Sequence, residues 1–156
     1  AVPPGHRLAR RTTIGVADLQ DERVLLLRQG FATREMFDAA CRIAHVHVRL
    51  LLEAGDPQSL IALAEAERGI AIPPPPVTFT GRRVRGAPLL HARASLGLWG
   101  WIVWNPHRFL PPFARSFIEG LVMYTRRTYP GRALERVAPP VPRPREGQAP
   151  GWTTSR

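Results

Sequence analysis

The fold is decided by residues 24–72, whose sequence is VLLLRQGFATREMFDAACRIAHVHVRLLLEAGDPQSLIALAEAERGIAI. Val24 to Leu27 is a short continuous apolar run, which is typical of a strand buried on both faces of a parallel sheet. In residues 34–44 the charged side chains fall on one face and the apolar ones on the other, at the spacing that predicts a helix. We place the N-cap of this helix at Thr33.

The same alternation continues along the chain. Residues 46–53 predict a second strand, and Asp56 followed by a proline marks the start of a second helix, with Asp56 as its N-cap. We expect this helix to end with Arg68 in its last turn and Gly69 in a left-handed conformation, before a short strand at residues 70–72. Such alternation predicts right-handed crossovers and a parallel sheet with helices on its faces.

The pattern weakens beyond this segment. Residues 73–76 are four prolines, which can neither donate to a sheet nor continue a helix. Residues 82–90 and 96–103 are strand candidates, and the second is rich in tryptophan. A last helix should open at Pro111 and end near Tyr129, because apolar side chains recur there at every fourth position.

Length and composition indicate one ordinary globular domain of 156 residues, with 44% hydrophobic and 22% charged residues. No apolar run approaches the roughly 18 residues of a membrane span, and residues 1–11 have no apolar stretch typical of a signal peptide. The single cysteine, Cys41, excludes an intramolecular disulfide framework. We therefore expect a cytoplasmic protein with no membrane partner.

The formal charge of +10 is concentrated at the two ends of the chain. Residues 1–11 carry +3 and residues 126–156 carry +5, which leaves +2 on residues 12–125. All the basic residues are arginines, a pattern that favours a coding bias over a functional choice. Residues 12–125 show no evident basic surface that could follow the phosphate backbone of DNA. We therefore expect no sequence-specific binding of duplex DNA by this chain.

No constellation of residues predicts catalysis, a metal site or a cofactor. His45 and His47 lie two apart at a strand entrance, but no third ligand follows at metal-site spacing. Cys41 has no nearby histidine, which favours an inert core thiol over a nucleophile. Trp99 and Trp101 favour a core or interface role over the stacking of a base or sugar.

Two segments have the position of a ligand site. Residues 28–33 and 54–58 each connect a predicted strand to a helix, and small ligands collect at the carboxyl ends of parallel strands. The helix N-termini there favour an anion, so a small carboxylated molecule is one candidate ligand. On spacing alone, two ordinary strand-to-helix turns are an equally good interpretation.

Several stretches form a recognisable pattern when taken in order: PPGHRLA at residues 3–9, DL at 18–19, GFATR at 30–34, AERGIAIPP at 66–74, PPFARSF at 111–117 and YTRR at 124–127. Together they resemble the effector-binding domain of LysR-type transcriptional regulators. The resemblance covers residues 1–132. Arg7 stands where the family pattern has a proline, and Pro73 stands where it has a strand residue.

The resemblance implies an α/β fold like that of type 2 periplasmic binding proteins, with two subdomains around an effector cleft. Residues 12–86 would form the complete second subdomain, and residues 87–128 the return strand and helix of the first. Residues 133–156 are expected to be a disordered tail rich in proline and arginine. The sequence contains no counterpart of the opening part of the effector domain or of the helix-turn-helix, so the chain is interpreted either as a fragment of a longer regulator or as a truncated one.

The resemblance also implies a binding site and partners. A small organic effector would bind without a cofactor, a metal or catalytic residues, and DNA would be bound only through the absent N-terminal domain. The predicted effector-binding residues are Gln29, Gly30, Phe31, Thr33, Asp56 and Gln58.

Two other classes of function stay open. One is a small enzyme or ligand-binding protein on a doubly wound α/β sheet, since a fold does not determine a function. The other is a fragment that acts only through protein contacts, for example with an intact relative. We also expect self-association, because the tryptophan-rich strand at 99–103 and the last helix would lack part of their sheet.

Overall fold

The computed structural model describes residues 1–74, 82–97, 105, 108–128 and 138. Two three-stranded sheets and three helices make up this part of the chain. In chain order, the elements are β1 at Ile14–Gly15, a short 3-10 helix at Val16–Leu19, β2 at Arg23–Leu27, α1 at Ala32–Ile43, β3 at Arg49–Ala54, α2 at Pro57–Glu65, β4 at Ile70–Ala71, β5 at Leu89–His91, β6 at Ala94–Ser95 and α3 at Pro112–Thr128.

The central sheet is parallel, with strand order β3-β2-β4. Its middle strand β2 is buried on both faces, because helices cover both sides. Val24 and Leu26 lie in one core cluster with Phe37 of α1, and Leu25 lies in a second cluster with Leu60 of α2. The predicted strand, helix, strand, helix, strand order and the α/β fold class are therefore confirmed.

The second sheet has the order β1-β5-β6, in which β1 runs parallel to β5 and β5 antiparallel to β6. Ile14 pairs with Leu89, and both side chains pack in the cluster beneath α1. Residues 89–95 thus pack against the body formed by the preceding elements. The predicted boundary at residue 87 and the proposed tail at 133–156 stay predictions, and all of the tail except Ala138 lies outside the described residues.

The N-cap of α1 is Phe31 and not Thr33, so that prediction was wrong. The backbone N–H groups of Arg34 and Glu35 both donate to the carbonyl oxygen of Phe31, at 2.9 and 3.1 Å. Phe31 has extended backbone angles, as an N-cap requires, and Thr33 lies inside the first turn. The helix begins early because the preceding turn closes at Gly30, whose φ is +91°.

The end of α2 also differs from the prediction. The helix stops at Glu65, and the left-handed residue is Glu67, with φ of +57°, not Gly69. Gly69 is needed for a different reason, because a Cβ there would lie 2.7 Å from the carbonyl oxygen of Arg23. The glycine therefore permits the close approach of the chain to β2 just before β4.

The N-terminal segment contains no named helix or strand before Ile14, and it is bound to the rest of the protein at Glu22. Nε2 of His6 lies 3.1 Å from one oxygen of the Glu22 carboxylate, and Nε of Arg7 donates to the other at 2.8 Å. Val2 pairs with Arg85 in an isolated antiparallel bridge.

The predicted last helix is confirmed as α3, but most of its side chains are exposed. Phe113 and Phe117 are 76% and 69% exposed, and no residue of α3 is buried among the described residues. Of the predicted strands, 82–90 is a strand only at β5, and 96–103 lies outside the described residues beyond Gly97. In the described part of the chain, no helix is long and apolar enough to span a membrane.

Candidate functional site

The two predicted turns leave the central sheet at the same edge. β2 and β3 are parallel neighbours whose last residues, Leu27 and Ala54, are register partners. The backbone N–H of Arg28 donates to the carbonyl oxygen of Ala54 at 3.0 Å, which bonds the first turn to the end of the second strand. A Cβ on Gly55 would lie 3.5 Å from Cζ of Arg28, so the guanidinium group lies beside the second turn.

The first turn leads to the N-terminus of α1, which has no side-chain cap. Gln29, Gly30 and Phe31 are exposed, and Thr33 is half-buried in the first turn of α1. No side chain of the described residues caps this helix, so free backbone N–H groups face the turn. These four predicted site residues are therefore next to a helix terminus that attracts an anion.

The second turn is capped by its own carboxylate, as predicted. Asp56 accepts from the backbone N–H groups of Gln58 and Ser59 at 3.1 and 2.8 Å, and from Oγ of Ser59 at 2.7 Å. These hydrogen bonds lower the pKa of Asp56. The bond from the Ser59 hydroxyl has the largest effect, and the bonds from the backbone N–H groups of Ser59 and Gln58 have smaller ones. Oε1 of Gln58 accepts from Nη2 of Arg82 at 3.2 Å. In this structure Asp56 and Gln58 are thus engaged in local contacts.

Sequence reasoning missed Arg34, which it assigned to the charged outer face of the first helix. Only 8% of its surface is exposed. Its guanidinium group donates to Oδ2 of Asp38 at 2.8 Å, to the carbonyl oxygen of Leu27 at 2.9 Å, and to Oε1 of Glu53. Arg34 therefore joins α1 to the ends of both strands beneath the turns. The spacing of four between Arg34 and Asp38 was the available signal, but it does not indicate burial.

The histidines and the cysteine weighed in the sequence do not form a reactive group with other described residues, and Trp99 and Trp101 lie outside the described part of the chain. His45 and His47 are both exposed, and the described residues contain no group of three or more histidine, cysteine, aspartate or glutamate side chains that could hold a metal ion. Cys41 is buried, and burial, with a smaller effect of Asp38, raises the pKa of its thiol to about 11. Its thiolate is therefore scarce at neutral pH.

Residues 1–125 match the family model of the LysR substrate binding domain. Among curated proteins, the chain is similar to the HTH-type transcriptional regulator YybE of Bacillus subtilis, with 24% identity over 123 residues. That match covers 79% of this chain and 41% of the relative. The chain thus spans about two fifths of the length of this relative.

Two solved structures share the fold. The effector-binding domain of QuiR, in complex with shikimate, has a TM-score of 0.61 and 14% identity, and the match covers 82% of this chain and 60% of that one. The regulatory domain of CcmR from Synechocystis PCC6803, in complex with 2-PG, has a TM-score of 0.57 and 18% identity, with 81% and 62% covered. The sheet order, the helix placement and the family match over residues 1–125 lead to one conclusion: the chain belongs to the LysR substrate-binding domain family.

Proposed function

We propose that this chain is the effector-binding part of a LysR-type transcriptional regulator and that it binds a small organic molecule at the edge where β2 and β3 end. The observation that carries the proposal is the bond from the N–H of Arg28 to the carbonyl oxygen of Ala54, which holds the two strand-to-helix turns together. Ligands of open α/β sheets bind at such carboxyl ends.

The electrostatics of the turns favour an anionic group on the effector. The start of α1 presents uncapped N–H groups and the positive end of the helix dipole, and Arg28 adds a guanidinium group beside Gly55. A carboxylate fits both features. The ligand in the QuiR structure is shikimate, which carries a carboxylate, and this supports the proposed class of effector.

Each predicted site residue has a role in the proposal. Gln29 and the N–H groups after Gly30 bind the polar end of the effector, Phe31 forms an apolar wall, and Thr33 offers a hydroxyl. Asp56 and Gln58 contribute by fixing the start of α2, since both side chains already have partners there. The left-handed conformation of Gly30 lets the chain turn directly into α1.

The family consists of ligand-binding domains and is not an enzyme family. We propose that the effector is bound without being transformed, and that the enzyme alternative does not apply. DNA contact would belong to a helix-turn-helix of the parent protein, as in the HTH-type relative. A protein with this role would act in the cytoplasm.

Thermal stabilisation by small carboxylates tests the proposal. The chain should be titrated with shikimate, 2-PG and benzoate, with benzamide as the uncharged match of benzoate, and the unfolding midpoint should be followed. A binding carboxylate should raise the midpoint in proportion to the logarithm of its concentration, because a ligand that binds only the native state stabilises it.

Two variants locate the site. Phe31→Ala should reduce the stabilisation, whereas Phe117→Ala on α3, which removes an exposed phenyl ring elsewhere, should leave it unchanged. Equal effects of the two variants would place the binding site away from the turns. No stabilisation by any carboxylate up to millimolar concentration would contradict the proposed effector class.

A further inference from the structure

Arg82 contacts both ends of α2. Its Nη1 donates to Oε2 of Glu65, the last residue of the helix, at 3.0 Å, and its Nη2 donates to Oε1 of Gln58, the second residue, at 3.2 Å. Gln58 belongs to the second turn of the proposed effector site, whereas Arg82 comes 24 residues later in the chain. The guanidinium group of Arg82 therefore reaches from the C-terminal end of α2 to that turn.

The residues that follow Arg82 are held against the same helix. The backbone N–H of Arg83 donates to Oε1 of Glu65 at 2.8 Å, and Val84 is buried in one core cluster with Leu60 of α2. The bonds to Glu65 lower its pKa, and the bond from the backbone N–H of Arg83 has the largest effect. The carboxylate of Glu65 is therefore ionised at neutral pH and keeps Arg82 beside α2.

The contact with Arg82 sets the orientation of the Gln58 side-chain amide. A guanidinium group has only donors, so the amide atom that faces it is the oxygen and not the nitrogen. The nitrogen, Nε2, keeps two N–H donors, and no described residue accepts from them. With its oxygen bound to Arg82, Gln58 offers these donors to a ligand.

Most other groups available at the two turns are donors as well. The start of α1 has uncapped backbone N–H groups, and Arg28 carries its guanidinium group beside Gly55. The carboxylate of Asp56, which accepts, is already bonded to the N–H groups of Gln58 and Ser59. A ligand that spans both turns therefore meets donors on each of them.

We propose that Arg82 is a positioning residue of the effector site and that the site binds a small molecule with an oxygen acceptor at each end. The start of α1 and Arg28 bind a carboxylate, and Nε2 of Gln58 donates to a second oxygen, from a hydroxyl or a phosphate. Arg82 acts through the amide of Gln58 and does not itself touch the effector. This inference rests on the proposed function, because it concerns the same two turns.

Isothermal titration calorimetry of the full 156-residue chain with three probes tests the proposal. Shikimate and 2-PG each carry a carboxylate and further oxygen atoms, whereas benzoate carries a carboxylate on an apolar ring. Arg82→Leu releases the amide of Gln58, so that its oxygen as well as its nitrogen can face the ligand. The variant should weaken the binding of shikimate and 2-PG by about three- to tenfold, and that of benzoate by less than about twofold.

Arg83→Leu is the matched control, because it removes the same charge from the neighbouring exposed residue. The bond from Arg83 to Glu65 uses the backbone N–H, which leucine retains. This variant should leave the three dissociation constants unchanged. An equal loss of binding in both variants would come from the positive charge of the surface, and that result would overturn the role of Arg82.

A double variant shows whether Arg82 acts through Gln58. Gln58→Leu removes the amide and should weaken shikimate and 2-PG at least as much as Arg82→Leu does. If Arg82 only orients that amide, Arg82→Leu has no further effect in the Gln58→Leu chain, and the two losses do not add. Additive losses would mean that Arg82 acts by another route, which would overturn its positioning role.

The pattern of binding separates this inference from the proposed function. If the probes bind but Arg82→Leu behaves like Arg83→Leu, the inference is wrong and the effector site stands. If Arg82→Leu weakens benzoate as much as shikimate, the requirement for a second acceptor is wrong. If none of the three probes binds the unmodified chain up to millimolar concentration, the proposed effector class fails, and this inference fails with it.

Discussion

Arg34 on α1 and Glu53 on β3 form an ion pair, and the guanidinium nitrogen that makes it, Nη1, also donates to the carbonyl oxygen of Leu27. The pair therefore links the first helix to the ends of two neighbouring strands. These strand ends carry both turns of the proposed effector site. The geometry of that site depends on a buried arginine that does not itself lie in the turns.

Replacement of Arg34 should destabilise the fold. Arg34→Ala leaves the carbonyl oxygen of Leu27 and the carboxylates of Asp38 and Glu53 without their donor. We expect a loss of about 2 kcal/mol in the free energy of unfolding, a value reduced because both carboxylates are partly exposed. Urea denaturation measures it. The exposed Arg42→Ala on the same helix should change it little, and equal effects of the two variants would contradict the role of Arg34.

The N-cap of α2 should make stability depend on pH. Because hydrogen bonds lower the pKa of Asp56 from its ordinary value of 3.8, its contribution is fully present above that value and is lost as the pH falls through the native pKa. Asp56→Ala should therefore lower the unfolding midpoint at pH 7, and the difference should shrink near pH 3. Glu119→Ala on α3 serves as the control. A difference independent of pH would contradict the capping argument.

Two glycines should respond to alanine in opposite ways. Gly69→Ala should cost about 1 to 3 kcal/mol, because the new Cβ would lie 2.7 Å from the backbone oxygen of Arg23, which cannot move easily. Gly120→Ala should stabilise by roughly 0.5 to 1 kcal/mol, since Gly120 lies inside α3 with no atom within 4 Å of the new Cβ. Chemical denaturation measures the free energy of unfolding of both variants, which should fall for Gly69→Ala and rise for Gly120→Ala.

The order of elements in residues 24–72 was predictable because local patterns and tertiary packing agree there. The run from Val24 to Leu27 is buried on both faces, and Asp56 caps α2 as its position before Pro57 indicated. Both features depend on nearby residues alone. The start of α1 was misplaced because it depends on the turn conformation of Gly30, which no periodic pattern encodes.

The candidate site was only partly predictable. The common location of its two turns was predictable, because neighbouring parallel strands end at the same edge of a sheet. The contacts of individual side chains were not, because they depend on partners distant in sequence. Gln58 contacts Arg82, 24 residues away, and Arg34 contacts Glu53, 19 residues away. Likewise, the apolar run in β3 resembles that in β2, and only the sheet order shows that one is at the edge and the other in the centre.

Cys41 should react slowly with thiol reagents in the native state. Burial, with a smaller effect of Asp38, raises its pKa to about 11, so roughly one thiol in a thousand is ionised at pH 8. The rate of reaction with a chromogenic disulfide at pH 8 should rise steeply when the chain is unfolded in guanidinium chloride. Equally fast reaction of the folded chain would mean that the helix face carrying Cys41 opens readily to solvent.

The turn that opens the proposed site should depend on the backbone of Gly30. A Cβ at Gly30 would meet no atom within 4 Å, so Gly30→Ala tests backbone strain alone. With φ of +91°, alanine should cost about 1 to 2 kcal/mol. Glu67→Gly, at a left-handed position beyond α2, should instead stabilise or be neutral, because glycine removes the same kind of strain.

The two variants should also differ in ligand response. Gly30→Ala should reduce the stabilisation by a binding carboxylate, because the N–H groups at the start of α1 would be displaced from the turn, whereas Glu67→Gly should retain it. Thermal unfolding with and without the carboxylate measures both effects. If Gly30→Ala lost stability but kept the full response to the carboxylate, the turn would be structural, and the effector would have to bind elsewhere on the sheet edge.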